Sequence, residues 1–110
     1  LAKGNYDCGI GPAFDVIGGK WKAAILWELA AGPVRFGELK RRLSGVTEKM
    51  LTQQLRELES DHLVTRTVFP EVPPRVEYAL TAWGERLNAA LAPVADWGEA
   101  YARAMGRYPA

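Results

Sequence analysis

The chain carries 110 residues, with 14 Lys and Arg against 13 Asp and Glu, 48% apolar residues and 25% charged ones. That balance describes one soluble globular domain, and at this length folding hides roughly 65% of the unfolded surface, enough for a single core but not for two. One cysteine, Cys8, and one histidine, His62, leave no material for intramolecular disulfides, Cys/His zinc clusters, or Ser-His-Asp or Cys-His catalysis with a spare histidine.

Leu1 to Gly11 is polar and glycine-rich and lacks the basic and apolar regions of a signal peptide, and no apolar run approaches the ~18 residues needed to span a bilayer. A cytoplasmic location and no membrane partner are expected, and a lone cysteine agrees with a reducing compartment. The sequence opens on Leu rather than Met, so an upstream segment stays open. Pro12 suits a first helical position and predicts a short helix to Ile17, with Phe14 and Ile17 on one side and Gly18-Gly19 as its end.

Trp21 to Ala31 is rich in helix formers, with Trp21, Ile25 and Leu29 at i, i+4, i+8 and Leu26 beside them. Gly32-Pro33 stops that helix. A third, short helix is predicted over Phe36 to Leu43, with Phe36, Leu39 and Leu43 inward and Lys40, Arg41 and Arg42 outward, closed by Ser44-Gly45. Thr47 then caps a fourth helix reaching about Ser60. Leu51, Leu55 and Leu58 form its buried stripe, Lys49, Gln53, Arg56 and Ser60 the opposite face, and Met50 and Thr52 its flanks.

From Leu63 the period changes. Leu63 to Phe69 is rich in β-branched residues and Arg75 to Leu80 alternates, which predicts two strands. Pro70-Glu71-Val72-Pro73-Pro74 between them makes a stiff, protruding hairpin tip. Thr81 caps a last helix to about Met105, with Trp83, Leu87, Ala90, Leu91, Val94, Trp97 and Tyr101 at helical spacing, and Pro93 is expected to kink or interrupt it.

Third and fourth helices joined by a tight turn and followed by a hairpin make a helix-turn-helix (36–60) with a wing (63–80), a mainly α fold with a small β-hairpin. Residues 33–56 hold six basic side chains (Arg35, Lys40, Arg41, Arg42, Lys49, Arg56) against Glu38 and Glu48, a net +4 that leaves −3 for the rest. A basic segment on a neutral chain is the form a nucleic-acid footprint takes, although a solvated helix face gives the same count.

These residues resemble the HxlR-type transcriptional regulators, a branch of the winged helix-turn-helix proteins. The resemblance runs from Cys8 to Gly98 and rests on four blocks in order: Asp15-Val16-Ile17-Gly18-Gly19-Lys20-Trp21, Arg35-Phe36-Gly37-Glu38-Leu39, Lys49 to Leu58, and Phe69 to Tyr78. It implies sequence-specific binding of double-stranded DNA by a homodimer, with the Lys49 to Leu58 helix in the major groove and the Pro70 to Arg75 tip as the wing. Target genes, the sign of regulation and any small-molecule or redox effector stay open.

In chemical terms, Lys49, Met50, Thr52, Gln53 and Arg56 are the candidate base contacts: Gln53 matches adenine, Lys49 a guanine or a phosphate, and Met50 or the Thr52 methyl a thymine methyl. Arg56, further along the helix, falls closer to the backbone. Arg35, Lys40, Arg41 and Arg42 are candidate phosphate contacts, one or two of them idle. Arg75 is expected either to reach out to a minor groove or phosphate, or to pair with Glu71 or Glu77.

The helical spacing of Trp21, Trp27, Trp83 and Trp97 favours core or dimer-interface packing over lining a ligand pocket or stacking on bases. Segments 12–18 and 81–105, with more apolar surface than one small domain covers, are the candidate dimerisation helices; pairing places two copies on a pseudo-palindromic operator. Cys8, ahead of the first helix, is either inert or a redox position in which only an intermolecular disulfide or a mixed adduct can form. His62 is expected to be structural. Glu28, Glu38, Glu48 and Asp15 lie on separate helices without ligand spacing, so neither enzyme activity nor a cofactor or metal is expected. The competing reading is a winged helix that binds a ligand or a protein without specific DNA binding.

Overall fold

The computed structural model describes residues 8–107, so residues 1–7 of the glycine-rich N-terminal stretch lie outside the described residues. Its elements are α1 (Ile10–Ile17), α2 (Lys22–Glu28), β1 (Val34–Arg35), α3 (Phe36–Arg42), α4 (Glu48–Ser60), β2 (Val64–Phe69), β3 (Arg75–Leu80) and α5 (Ala82–Ala104). The core gathers the inward stripes: Ile25, Leu26 and Leu29 from α2, Leu39 and Leu43 from α3, Leu51, Leu55 and Leu58 from α4, and Val34, Val64 and Tyr78 from the sheet. Each stripe recurs at the period of its element, and no helix here buries a second face.

Four expectations are corrected. α1 starts at Ile10, and Pro12 is its third residue: the first intrahelical donor is Ala13, whose N–H reaches the Gly9 carbonyl at 3.1 Å. Proline is tolerated anywhere among the opening positions whose N–H groups lack partners. α2 is shorter than Trp21 to Ala31, because Leu29 already caps it and Ala30 to Gly32 form a turn.

The wing hairpin belongs to a three-stranded antiparallel sheet, in the order β1-β3-β2, through Val34 opposite Tyr78 and Arg35 opposite Glu77. Two residues carry no readable period. Finally, α5 is not interrupted at Pro93, which corrects the second of the two outcomes expected there. The carbonyl of Ala89, which that residue cannot serve as a donor, belongs to an exposed position and can be solvated.

Two junctions position α4 and the hairpin. Between α3 and α4, Gly45 takes φ 91° and Val46 donates its N–H to Leu43 O at 3.1 Å, giving the tight turn a side chain would resist. Between α4 and β2, His62 takes φ 61°, while the N–H of His62 reaches Glu59 O (3.0 Å) and that of Leu63 reaches Leu58 O (2.9 Å). This is a Schellman ending with histidine where glycine is usual. His62 is exposed, and its carbonyl accepts from the Thr81 hydroxyl at 2.6 Å, tying the corner to the start of α5.

Candidate nucleic-acid interface

α4 begins where expected: the Thr47 hydroxyl accepts from the Met50 N–H at 3.1 Å, and Glu48 sits in the first turn, where a negative charge suits the helix N-terminus. Leu51, Leu55 and Leu58 are buried to 1% exposure or less. That anchors the helix and turns Lys49, Gln53 and Arg56 to solvent. These three, with Glu48 and Thr52, border one shallow concavity of about 420 Å³. Met50, 40% exposed, is not part of it. The structure thus brings together four of the five expected base contacts, Lys49, Thr52, Gln53 and Arg56, and sets Met50 apart.

The expected backbone contacts divide. Glu38 holds two of them: Arg41 donates to it through Nε at 3.0 Å and through Nη2, and Arg42 through Nε at 2.9 Å. The hydrogen bond from Arg41, then that from Arg42, holds the Glu38 carboxyl below its ordinary value. Arg42 also lies 3.7 Å from Glu28. Arg35 and Lys40 are exposed and form no ion pair with the described residues, so they are the cations of this group left for an external anion.

Arg75 is folded back, not held out. Its guanidinium pairs with Glu71 at 2.8 Å and Glu77 at 3.1 Å and lies 3.8 Å from the Phe69 ring centroid. The stiff loop that was expected to project this arginine also brings Glu71 back to it, and two carboxylates and a ring face outweigh solvation.

Arg66 is a candidate the sequence reading passed over. With Arg56 and Glu59 it lines a groove of about 550 Å³ between α4 and the sheet, with Phe36, Thr52 and Tyr78 among the walls. Strand parity carried the signal: Arg66 shares its sheet face with buried Val64 and lies opposite buried Tyr78. A cation at an inward position of a strand marks the place where the core ends and a groove begins.

Also unforeseen is a buried charge. Lys22 is 6% exposed and its Nζ donates to Glu57 Oε1 at 2.6 Å, linking α2 to α4. The other oxygen of Glu57, Oε2, accepts from Gln53 Nε2 at 2.7 Å. Hydrogen bonding from Gln53, then from Lys22, holds the Glu57 carboxyl below its ordinary value. Lys22 precedes Leu26 and Leu29 at i, i+4, i+7, the inward stripe of α2, so its burial was written in that spacing.

Of the tryptophans only Trp21 packs against the core. Trp27 is 53% exposed, Trp83 61% and Trp97 67%, which corrects the core half of their expected role. Cys8 is exposed, with a free thiol, beside the start of α1. Among the described residues no group of His, Cys, Asp and Glu could hold a metal ion, and no helix is long and apolar enough to cross a membrane.

The family model of HxlR-like helix-turn-helix proteins matches residues 16–105. The chain is 48% identical over 97 residues to an HTH-type transcriptional regulator of Methanothermobacter thermautotrophicus, covering 88% of this chain and 74% of that protein. It is 46% identical over 107 residues to the HTH-type transcriptional regulator YkvN of Bacillus subtilis, covering 94% and 91%. Among solved structures, the redox regulator HypR in its reduced form superposes with a TM-score of 0.83 at 41% identity, over 90% of this chain and 98% of that one. With an exposed polar helix seated on a leucine stripe beside a three-stranded wing, and relatives that share nearly half its residues, the chain belongs to the HxlR-like helix-turn-helix family of transcriptional regulators.

Proposed function

We propose that the chain represses or activates transcription as a homodimer on a pseudo-palindromic operator, with α4 in the major groove and the β2–β3 wing on the adjacent groove or backbone. One observation carries this reading: Lys49, Thr52, Gln53 and Arg56 share one outward patch of a helix whose leucine stripe is buried. Lys49, Thr52 and Gln53 read bases, with Met50 beside them for a thymine methyl. Arg35, Lys40, Arg56 and Arg66 meet phosphates. Arg41 and Arg42 are held by Glu38 in the free chain and contribute less. Arg75 exchanges its carboxylate partners for a phosphate or stays a strut of the wing.

Support for the dimer comes from apolar side chains left in water on α1 and α5: Phe14, Trp83, Val94 and Trp97 are each more than 60% exposed. Surfaces of this kind mark interaction sites. Cys8, exposed and beside α1, is a redox-responsive position in this reading, one thiol per protomer forming an intermolecular disulfide or a mixed adduct. A solved relative of similar fold is a redox regulator.

Fluorescence anisotropy of short duplexes from neighbouring intergenic DNA, at several salt concentrations, tests the main reading. Three or four phosphate contacts per protomer predict a slope of log affinity on log salt of about −5 to −7. A Lys49→Ala/Gln53→Ala variant should lose preference for the operator. Weak binding, indifferent to sequence and to those substitutions, would transfer the function to a ligand or protein partner. Treating the protein with diamide and then measuring operator binding, for wild type and Cys8→Ser, tests the thiol: equal responses remove Cys8 from the mechanism.

A further inference from the structure

Gln53 is the residue of the outward α4 patch that carries an amide, with both a donor and an acceptor, and that amide looks nearly the same either way round. A base-reading amide free to flip presents two opposite patterns. In this chain the choice is made by Glu57, one turn further on. Its carboxylate only accepts hydrogen bonds, so the group of Gln53 that faces it at 2.7 Å is the NH₂. The carboxylate is itself held still: its second oxygen takes the Lys22 ammonium at 2.6 Å, and Lys22 is 6% exposed, anchored in α2 and unable to leave without stranding a charge in the interior.

What remains on Gln53 is Oε1 and one N–H of Nε2. That pair matches adenine in the major groove, whose N6 amine donates and whose N7 accepts. Guanine presents two acceptors there, which would set Oε1 against an acceptor. Lys22 has a second effect, since its charge offsets that of Glu57, which would otherwise stand among the DNA phosphates.

Resting on the reading of α4 as the recognition helix, we infer that Glu57 is a positioning residue, braced by Lys22, that fixes the Gln53 amide in the orientation that reads adenine. Glutamine at 57 can donate as well as accept, so Glu57→Gln frees the amide to flip while keeping size and shape. Because the substitution also removes a negative charge, a merely structural or electrostatic role would change affinity for all DNA alike, whereas loss of orientation acts on one base pair.

The experiment is a selection from a random duplex pool, followed by affinities for duplexes carrying each of the four base pairs at the position where Gln53→Ala flattens the preference. Wild type should favour adenine there by about tenfold, the range of one bidentate contact. Glu57→Gln should reduce that preference to about twofold or less, with affinity for a scrambled duplex held or raised. Where Glu57→Gln alone melts early because Lys22 is left unpaired, Lys22→Met/Glu57→Gln removes both charges and carries the same test, with circular dichroism confirming the fold. Retention of the preference in the Glu57 variants with its loss in Gln53→Ala overturns the assignment of Glu57 alone. A guanine preference at that position overturns the stated orientation. If wild type shows no preference at any position, the recognition-helix reading falls and this inference with it.

Discussion

At the scale of single residues, the two unusual features are a buried lysine and a histidine in left-handed backbone. Removing the partner of a buried charge costs about 3–5 kcal/mol when both members are enclosed. Glu57 is 42% exposed on its side chain, so water and Gln53 soften the loss. Glu57→Gln should therefore destabilise the fold by about 1–2 kcal/mol, and adding Lys22→Met should recover most of it, as urea midpoints would register.

The pH dependence has a definite sign. The Glu57 carboxyl lies below its ordinary 4.5 in the folded chain, so its contribution is complete above that value and is lost as pH falls through the lower, folded one. The stability gap between wild type and Glu57→Gln should be full near neutral pH and close on acidification below about 4.5. A gap that stays constant would remove the charge pair as its cause. At His62, with φ 61°, a side chain costs roughly 1–2 kcal/mol in a left-handed conformation, against about 0.4–1 kcal/mol that glycine loses through a freer unfolded chain. His62→Gly should thus raise stability by about 0.5–1 kcal/mol; an unchanged or lower urea midpoint would mean that the imidazole makes compensating contacts.

At the scale of elements, α5 passes tightly against the junction between α4 and β2. A Cβ on Gly84 would lie 2.1 Å from the Leu63 carbonyl oxygen, a backbone atom that cannot step aside. Gly84→Ala should cost roughly 2–4 kcal/mol, despite the ~1 kcal/mol that alanine gains as a helix former, because α5 must be displaced from the sheet. A thermal melt within a degree or two of wild type would contradict that packing.

Local chemistry made much of this legible. Thr47 and Thr81 cap α4 and α5 as their hydroxyls suggested, accepting from Met50 and Gly84, and the leucine stripe of α4 is buried throughout. β3 keeps its expected bounds. What stayed hidden depends on residues distant in the chain. β1 exists only because β3 passes beside Val34 and Arg35. The partners of Arg75, Glu71 and Glu77, were named as an alternative, but the choice between them and solvent is made by loop closure over Phe69. Gln53 was readable as a polar surface residue, while its link to Lys22 through Glu57 spans 35 positions between lysine and glutamate.

At the scale of the molecule, the radius of gyration is 15.2 Å, where a compact chain of this length has about 13 Å. The helix α5 supplies much of the exposed apolar surface. Trp83, Ala90, Val94, Trp97, Tyr101 and Met105 fall within about 40° of one line along it, at about 100° per residue. Leu87 and Leu91 are packed against the core. Further out, Trp97 and Tyr101 stack at 5.0 Å with rings 9° apart, both exposed.

A double substitution, Val94→Asp/Trp97→Glu, should leave the melting temperature of the monomer core nearly unchanged but yield single protomers by light scattering. Operator affinity should drop by about a hundredfold or more, as expected when two linked contacts become independent. A wild-type chain that is already monomeric at micromolar concentration would remove pairing from the function.

Pro93 stands where α5 passes from its core-packed half to this exposed half, and there the backbone ladder lacks one hydrogen bond. The residues beyond it form a lever about 17 Å long. Tilting that lever by about 10° moves its far end by about 3 Å, close to the ~3.4 Å between successive base pairs. If two copies pair through these ends, this proline is a place where α5 can lean without breaking a backbone hydrogen bond, far from any side chain expected to face DNA.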